Sequence, residues 1–576
     1  MFAGRSRSRA VVAAVSLAVF ATASASACSS SGTSSPNAAT ASTEGRHTEP
    51  PSKNDPTTTS GGAQFLRPAC VISRPAAPKA VISPDGIHEY NVTSFDGTII
   101  RAHWFPKADT TKSWQQPRLP TILKGPGWGT AGDVNDTGRG DGLFGDINIA
   151  NLHDAGYNVL TWDPRGFGKS SGTIEINNAD FEGRDAQVLL DFVAAQPGVQ
   201  LDAPSDPRVG MVGGSYGGGI QLVTAAIDCR VDAIVPTIAW HSLETSLYKN
   251  ATFKSGWGNF LYDFAKDKKL DEHIVSSHDE GNSSGVLSAA NLAWYRDRGP
   301  GDLVKKINVP TLFIQGTVDT LFTLDEAVTN YEILKAKGVP TAMTWYCGGH
   351  GVCLTKAGDQ SFNSRLATHW LARYVKSDTS VSLDEEFTAV DQNGRLYSAN
   401  KFPVTAGAPV SAKGSGSLRL AETSYEPNTP APGAPTAILG GIAGNITPSN
   451  AKDAVNIDIS FGVEALVLGA PTLTLTYTGT SPAGATPTRV FAQIVDPATN
   501  LVLGNLATPI KVELDGKEHT ISLALEMVVF AAKRGVKLKL QLVATTHSYA
   551  APRLGGTVAF SAIDVELPTV TGMRSL

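Results

Sequence analysis

Polar and apolar residues interleave at short range along residues 90–94 and 98–105, two runs joined by Phe95-Asp96-Gly97. A period of two broken by such a turn predicts an antiparallel hairpin. The period then lengthens. Residues 119–123 and 158–162 read as short apolar strands separated by a helix-length segment, and residues 186–196 place Val188, Leu189, Phe192 and Val193 on one helical face before Pro197-Gly198. Residues 209–212, 233–236, 311–315 and 342–346 continue the series, and strands alternating with helices predict a mostly parallel sheet covered on both faces.

Between residue 240 and about residue 309 the alternation breaks, and polar sequence carrying Trp257, Phe260, Tyr262, Phe264, Trp294 and Tyr295 intervenes. An insertion there lies above the strand ends, where ligands bind in open α/β sheets, so it reads as a mainly helical cap (about 241–308). The alternative is a pair of helices packed on the sheet edge. After residue 376 the helical period ends. From Pro409 alternating runs at 471–477, 489–495, 536–543 and 558–565 recur at near-regular spacing, which predicts a β-sandwich. The expected organisation is an α/β domain over 76–380, a connecting segment over 381–440 and a β-sandwich over 441–576.

The amino-terminal stretch differs from all of this. Arg5, Arg7 and Arg9 precede an apolar run at 10–21 and a small-residue exit at Ala25-Ser26-Ala27, the pattern of an export signal over 1–27. The apolar run is too short to cross about 30 Å of hydrocarbon. Cys28 directly after it resembles the lipidated cysteine of a bacterial lipoprotein, although Ala25 stands where Leu is usual; cleavage by an ordinary signal peptidase is the alternative. Residues 28–75 are dominated by Ser, Thr, Pro and Gly and read as a tether. The expected location is therefore outside a bacterial membrane, anchored by lipid or secreted. A net charge of −5 over 576 residues, without a basic run beyond the amino terminus, argues against nucleic acid as a partner. The length suggests roughly two or three domains.

Candidate chemistry centres on Gly213-Gly214-Ser215-Tyr216-Gly217, which fits G-x-S-x-G directly after an apolar strand. In this nucleophile elbow the strand turns so sharply into a helix that the serine is held in strained backbone. A serine hydroxyl needs a general base, itself oriented by a carboxylate, and the order for this fold is nucleophile, acid, histidine. Asp319 follows the strand at 311–315, and His350 sits in a glycine-rich loop after the strand at 342–346, so both fall on the carboxyl edge beside Ser215. Asp325 is the competing acid, but at the apparent start of a helix it reads as an N-cap residue or a dipole partner. An oxyanion needs two backbone donors; Tyr216 supplies one, and Trp128 in Gly125-Pro-Gly-Trp-Gly129 supplies the other.

Residues 156–170 (GYNVLTWDPRGFGKS), the elbow, Gln315-Gly-Thr-Val-Asp319 and Gly349-His350-Gly351 resemble the Xaa-Pro dipeptidyl-peptidase and cocaine-esterase group of serine α/β hydrolases. The β-rich remainder, with LVLGAP at 466–471 and RGVKLKL at 534–540, resembles that group's carboxy-terminal jelly roll. The resemblance implies an α/β-hydrolase domain with a helical cap followed by a jelly-roll-like sandwich, and Ser215, Asp319 and His350 as nucleophile, acid and base. One departure is that Trp128 stands where members of the group can present a tyrosine hydroxyl to the oxyanion. The group contains both peptidases and esterases. The dipeptidyl-peptidase reading requires an anion to hold a free α-amine, for which the cap offers Glu244, Asp263, Asp267 and Asp271; the esterase reading requires only apolar lining. A third possibility is a hydrolase fold kept as a non-catalytic envelope-binding protein.

Apart from Cys28 the chain has Cys70, Cys229, Cys347 and Cys353, an even number in an exported protein, and of the three connectivities Cys347–Cys353 with Cys70–Cys229 is favoured over buried thiols. No zinc or nucleotide motif is present, so no metal or cofactor is expected.

Overall fold

The computed structural model describes residues 70–72, 79–107, 117–138, 147–421, 454–546, 548–550 and 552–576. The export signal, Cys28 and the tether up to residue 69 lie outside the described residues.

The central sheet carries β1 (Ala80–Ile82), β2 (Glu89–Thr93), β3 (Ile99–Phe105), β4 (Thr121–Lys124), β5 (Asn158–Trp162), β6 (Val209–Gly214), β7 (Val231–Thr237), β8 (Thr311–Gly316), β9 (Thr341–Tyr346), β10 (Phe387–Val390) and β11 (Leu396–Ala399). Their spatial order is β1-β2-β3-β5-β4-β6-β7-β8-β9-β10-β11, and the two-residue strand Arg574–Ser575 closes the far edge. Pairing is antiparallel from β1 to β5, parallel from β5 through β10, and antiparallel again at the edge. Because successive side chains leave a strand on opposite faces, Met211 and Phe313 enter one core while Val212, Leu312 and Ile314 enter the other. Helices α2 (Glu182–Ala194), α3 (Tyr216–Ile227) and α8 (Leu324–Ala336) cover the first face; α1 (Ile149–Asp154) and α9 (Ser361–Tyr374) cover the second.

Between β7 and β8 the chain forms α4 (Leu243–Leu247), α5 (Ser255–Ala265), α6 (Glu272–Ser284) and α7 (Ala289–Arg296). Their apolar sides meet Tyr216, Trp240, Leu321 and Phe322 in one buried cluster above the carboxyl ends of the strands.

The remaining strands form antiparallel sheets, one containing Val410–Arg419, Thr557–Leu567, Thr472–Thr480 and Asp515–Ala524, another built on Ala454–Ser460, Lys537–Val543 and Thr488–Asp496. Their inward residues share one core that includes Val455, Leu473, Val490, Leu540 and Val565. Of the segment read as a connection over 381–440, the described residues, up to 421, are divided between the two layers. Residues 387–399 extend the central sheet as a hairpin, because Phe387 and Ala389 pack into its core, whereas Val410–Arg419 pairs with Thr557–Leu567 and opens the sandwich well before residue 441.

Candidate functional site

The elbow is built by steric necessity. Ser215 stands between β6 and α3 with φ 57° and ψ −118°, a conformation that L-residues rarely adopt. Its N–H donates to the Thr237 carbonyl at 2.9 Å, and its carbonyl accepts from Gly218 and Gly219. A Cβ on Gly217 would lie 2.2 Å from the Gly125 carbonyl oxygen, so only glycine lets the loop after β4 come this close to the turn.

His350 Nε2 is 2.8 Å from Ser215 Oγ, and His350 Nδ1 is 2.8–2.9 Å from the two carboxylate oxygens of Asp319. Asp319 has no solvent exposure, and its Oδ1 also accepts the N–H groups of Leu321 and Phe322 at 3.1 and 2.8 Å. The two loops that carry this pair are stitched together. Thr317 and Val318 donate to the carbonyls of Tyr346 and Gly348, and Gly351 donates to Val318. Gly349 (φ 132°) lies so close to Asp319 that a Cβ there would stand 2.7 Å from the Asp319 Cα. Cys347 and Cys353, bonded to each other, flank His350; Cys70 is bonded to Cys229.

Trp128 and Tyr216 both line the pocket at Ser215. The Tyr216 N–H opens α3 and is one of the donors that a helix leaves without an intrahelical acceptor. The Trp128 indole N–H is committed to the Leu261 carbonyl of the cap at 3.0 Å, so any contribution of this residue to an oxyanion comes from its backbone. Its ring meets those of Phe167 and Tyr216 edge-on. Behind Tyr216, Asn177 donates through its side-chain amide to the Tyr216 carbonyl at 2.8 Å, and burial pushes the Glu182 carboxyl up to about 8.

The pocket continues from Ser215 into the cap along Leu243, Leu247, Phe253, Leu261, Ile274 and Tyr295, with Tyr262 and His278 also on its wall, and this lining contains no carboxylate, lysine or arginine. The four acidic candidates of the cap are placed elsewhere. Glu244 pairs with Arg296, Asp263 pairs with Lys266, Asp271 caps α6 by accepting the His273 N–H, and Asp267 is exposed. Of the two readings of Asp325, the N-cap belongs to Thr323 instead, and Asp325 stands in the first turn of α8, where its charge complements the helix dipole and forms a 2.9 Å ion pair with Lys249. Its partner comes from the cap, which local sequence does not reveal.

Two residues that bear on this site were not assigned a role by the sequence pattern. Lys254, fully buried, donates to the Leu321 carbonyl at 2.9 Å, and burial pushes its ammonium down to about 8. Trp257, visible only as one aromatic of the cap, donates its indole N–H to Thr320 and places its ring edge-on against His350 with centroids 5.5 Å apart. A lysine among aromatic residues was the one available signal for the former.

The fold has solved counterparts. A CocE/NonD family hydrolase from Staphylococcus aureus superposes with a TM-score of 0.57, covering 86% of this chain and 93% of its own at 12% identity. An α-amino acid ester hydrolase gives 0.62 over 84% and 96% at 12% identity, and an aminopeptidase from a marine sediment Thaumarchaeota archaeon gives 0.58 over 87% and 99% at 12% identity. At such identities the likeness is one of fold, and it covers both layers. Residues 96–351, the segment that holds Ser215, Asp319 and His350, match the family model described as X-Pro dipeptidyl-peptidase (S15 family).

Proposed function

We propose that the protein hydrolyses esters of apolar carboxylic acids through an acyl-enzyme on Ser215. The observation that carries this reading is the pocket wall beside Ser215, aromatic and aliphatic with no anion to hold a free α-amine. A dipeptidyl-peptidase with this lining would bury its substrate's ammonium without a partner, which costs several kcal/mol.

Ser215 Oγ attacks the ester carbonyl while its proton passes to His350 Nε2, and Asp319 holds the ring through Nδ1 and stabilises the imidazolium. The N–H groups of Tyr216 and Trp128 receive the carbonyl oxygen as it becomes negative. Collapse of the tetrahedral intermediate breaks the C–O bond, and the imidazolium gives its proton to the departing alkoxide. Water then attacks the acyl-enzyme with His350 again as base and frees the acid.

Export, with lipidation of Cys28 as the means of anchoring, belongs to the same proposal. The two disulfides support it, since such bonds persist in oxidising compartments.

The test compares kcat/KM for aryl butyrates, a free-amine Xaa-Pro anilide and its N-acetylated counterpart, with a fluorophosphonate probe reporting on Ser215. Ester turnover together with labelling that Ser215→Ala abolishes is the expected result. Preference for the free-amine anilide would replace this reading with the exopeptidase one, and folded wild-type protein that neither labels nor turns over would point to a binding role.

A further inference from the structure

His350 is held between two aromatic rings that belong to different sides of the site. Phe322 meets it edge-on at 5.1 Å and also lines the pocket; Trp257 meets it edge-on at 5.5 Å and is not part of that lining. From Trp257 the rings continue along one face of α5, at spacings of three and four residues that bring side chains onto the same side of a helix. Phe260 stands edge-on to Trp257 at 5.5 Å, and Phe264 stacks on Phe260 at 6.0 Å. Phe260 is half-buried and Phe264 is 45% exposed. The strip ends over the loop after β4, where a Cβ on Gly129 would lie 2.2 Å from the Phe264 ring. A continuous aromatic surface thus leads from the imidazole to solvent, passing beside Trp128.

We infer that this strip is the leaving-group subsite and that it selects esters of apolar, aromatic alcohols; the inference rests on the ester reading above. The chemistry assigns the two sides. The imidazolium must hand its proton to the departing alkoxide, so the alcohol portion lies against His350 while the acyl portion fills the pocket on the Phe322 side. An exposed phenylalanine is a neutral event when isolated, but one continuous with two further rings and with the proton donor is placed to cover an apolar group. Trp257 is fixed by its bond to Thr320, so the inner end of the strip is preorganised, whereas Phe264 at the outer end is 45% exposed and open to an aromatic ring from solvent.

The experiment holds the acid constant and varies the alcohol. Butyrate esters of ethanol, benzyl alcohol and 2-naphthylmethanol share an acyl-enzyme and have alcohols of similar acidity, so differences in kcat/KM report contacts to the alcohol. In the wild type the ratio of kcat/KM for naphthylmethyl over ethyl butyrate is expected to be about ten or more, the worth of one well-buried aromatic contact. In Phe264→Ser and Phe260→Ala that ratio falls towards one, and inhibition by free 2-naphthylmethanol weakens in parallel. An unchanged ratio in a folded Phe264→Ser enzyme overturns the subsite; the exposed position of Phe264 keeps this arm usable should Phe260→Ala fail to fold. If the wild type hydrolyses none of the three esters and takes no fluorophosphonate, the ester reading itself fails. Ester turnover without an alcohol preference removes the subsite alone.

Discussion

The ammonium of Lys254 donates to the carbonyl oxygen of Leu321 at 2.9 Å, and the N–H of the same Leu321 donates to the carboxylate of Asp319 at 3.1 Å. A buried lysine with no ion pair among the described residues is costly, and its place here is to hold the turn that presents Asp319. Lys254 also precedes α5, whose first turns meet the sandwich: Gly256 donates to the Ser548 carbonyl, and Ala550 donates to Phe253. Lys254→Met is expected to lower kcat about ten-fold or more with little change in KM, because a carboxylate that drifts misorients the histidine.

The stability of that variant follows from the sign of the pKa shift. Burial lowers the folded-state pKa of Lys254 to about 8 from the ordinary lysine value of 10.5, so the charged form is penalised in the fold. The penalty is fully present below pH 8 and disappears as pH rises towards 10.5, and it amounts to roughly 3 kcal/mol. Lys254→Met should therefore melt no lower than the wild type at pH 7 although it loses activity. A melting temperature well below the wild type at pH 7, by differential scanning calorimetry, would contradict this account.

Ser215→Ala and His350→Ala should each remove about the same share of kcat, since the groups act as a unit. Asp319→Asn should follow them closely. Asp325→Asn should leave kcat near the wild-type value, because its carboxylate faces Lys249 rather than His350. A crippled Asp325→Asn beside an active Asp319→Asn would reverse the assignment of the acid.

The two disulfides should separate stability from activity. Removing Cys70–Cys229 opens a constraint across a sequence separation of 159 residues, and the chain-entropy relation gives about 5 kcal/mol of lost stability. Replacing Cys347 and Cys353 by serine opens a separation of only 6 residues, with about 2 kcal/mol at stake, but it loosens the loop that carries His350. The first variant should lower the melting temperature at near-normal kcat. The second should lower the melting temperature less but reduce kcat.

His103 offers a pH test of the fold. Burial works against its charged form, yet hydrogen bonds to Asp163 and Glu89 outweigh that and raise its pKa above 6.5. A raised folded-state pKa means that the stabilisation is complete below about pH 6.5 and is lost as pH climbs through the folded value. Chemical denaturation between pH 6 and 9 should show wild-type stability falling with pH more steeply than that of His103→Gln. Parallel slopes would remove His103 as the cause.

Much of the layer structure was local. Short apolar runs alternating with helix-length segments marked the parallel strands from β4 to β9, and glycines packed around Ser215 and His350 marked the two turns where backbone must approach backbone, as Gly217 approaches Gly125. Sequence order on the carboxyl edge of a parallel sheet is itself geometry, so Ser215, Asp319 and His350 were legible as neighbours before any distance was known. The cap was legible only as an interruption. Its helices carry short, weakly periodic faces, and which of their residues turn towards the site depends on packing against Trp240, Leu321 and the sandwich. Glu244, Asp263 and Asp271 could therefore be named as possible anchors but not placed, and tertiary structure sends each to a local partner.

What the sequence by itself determined was the elbow, the order of the three reactive side chains and the sheet that aligns them, because each depends on contacts within a strand–turn–helix unit or on chain order along one edge. What only the tertiary structure decided was everything that joins distant segments. It divided residues 387–419 between the central sheet and the sandwich, set Lys254 under Leu321, and laid Trp257 against His350 so that an aromatic strip leads out of the site. Such contacts arise when separate apolar surfaces are pressed together, and no periodicity along the chain encodes which surface meets which.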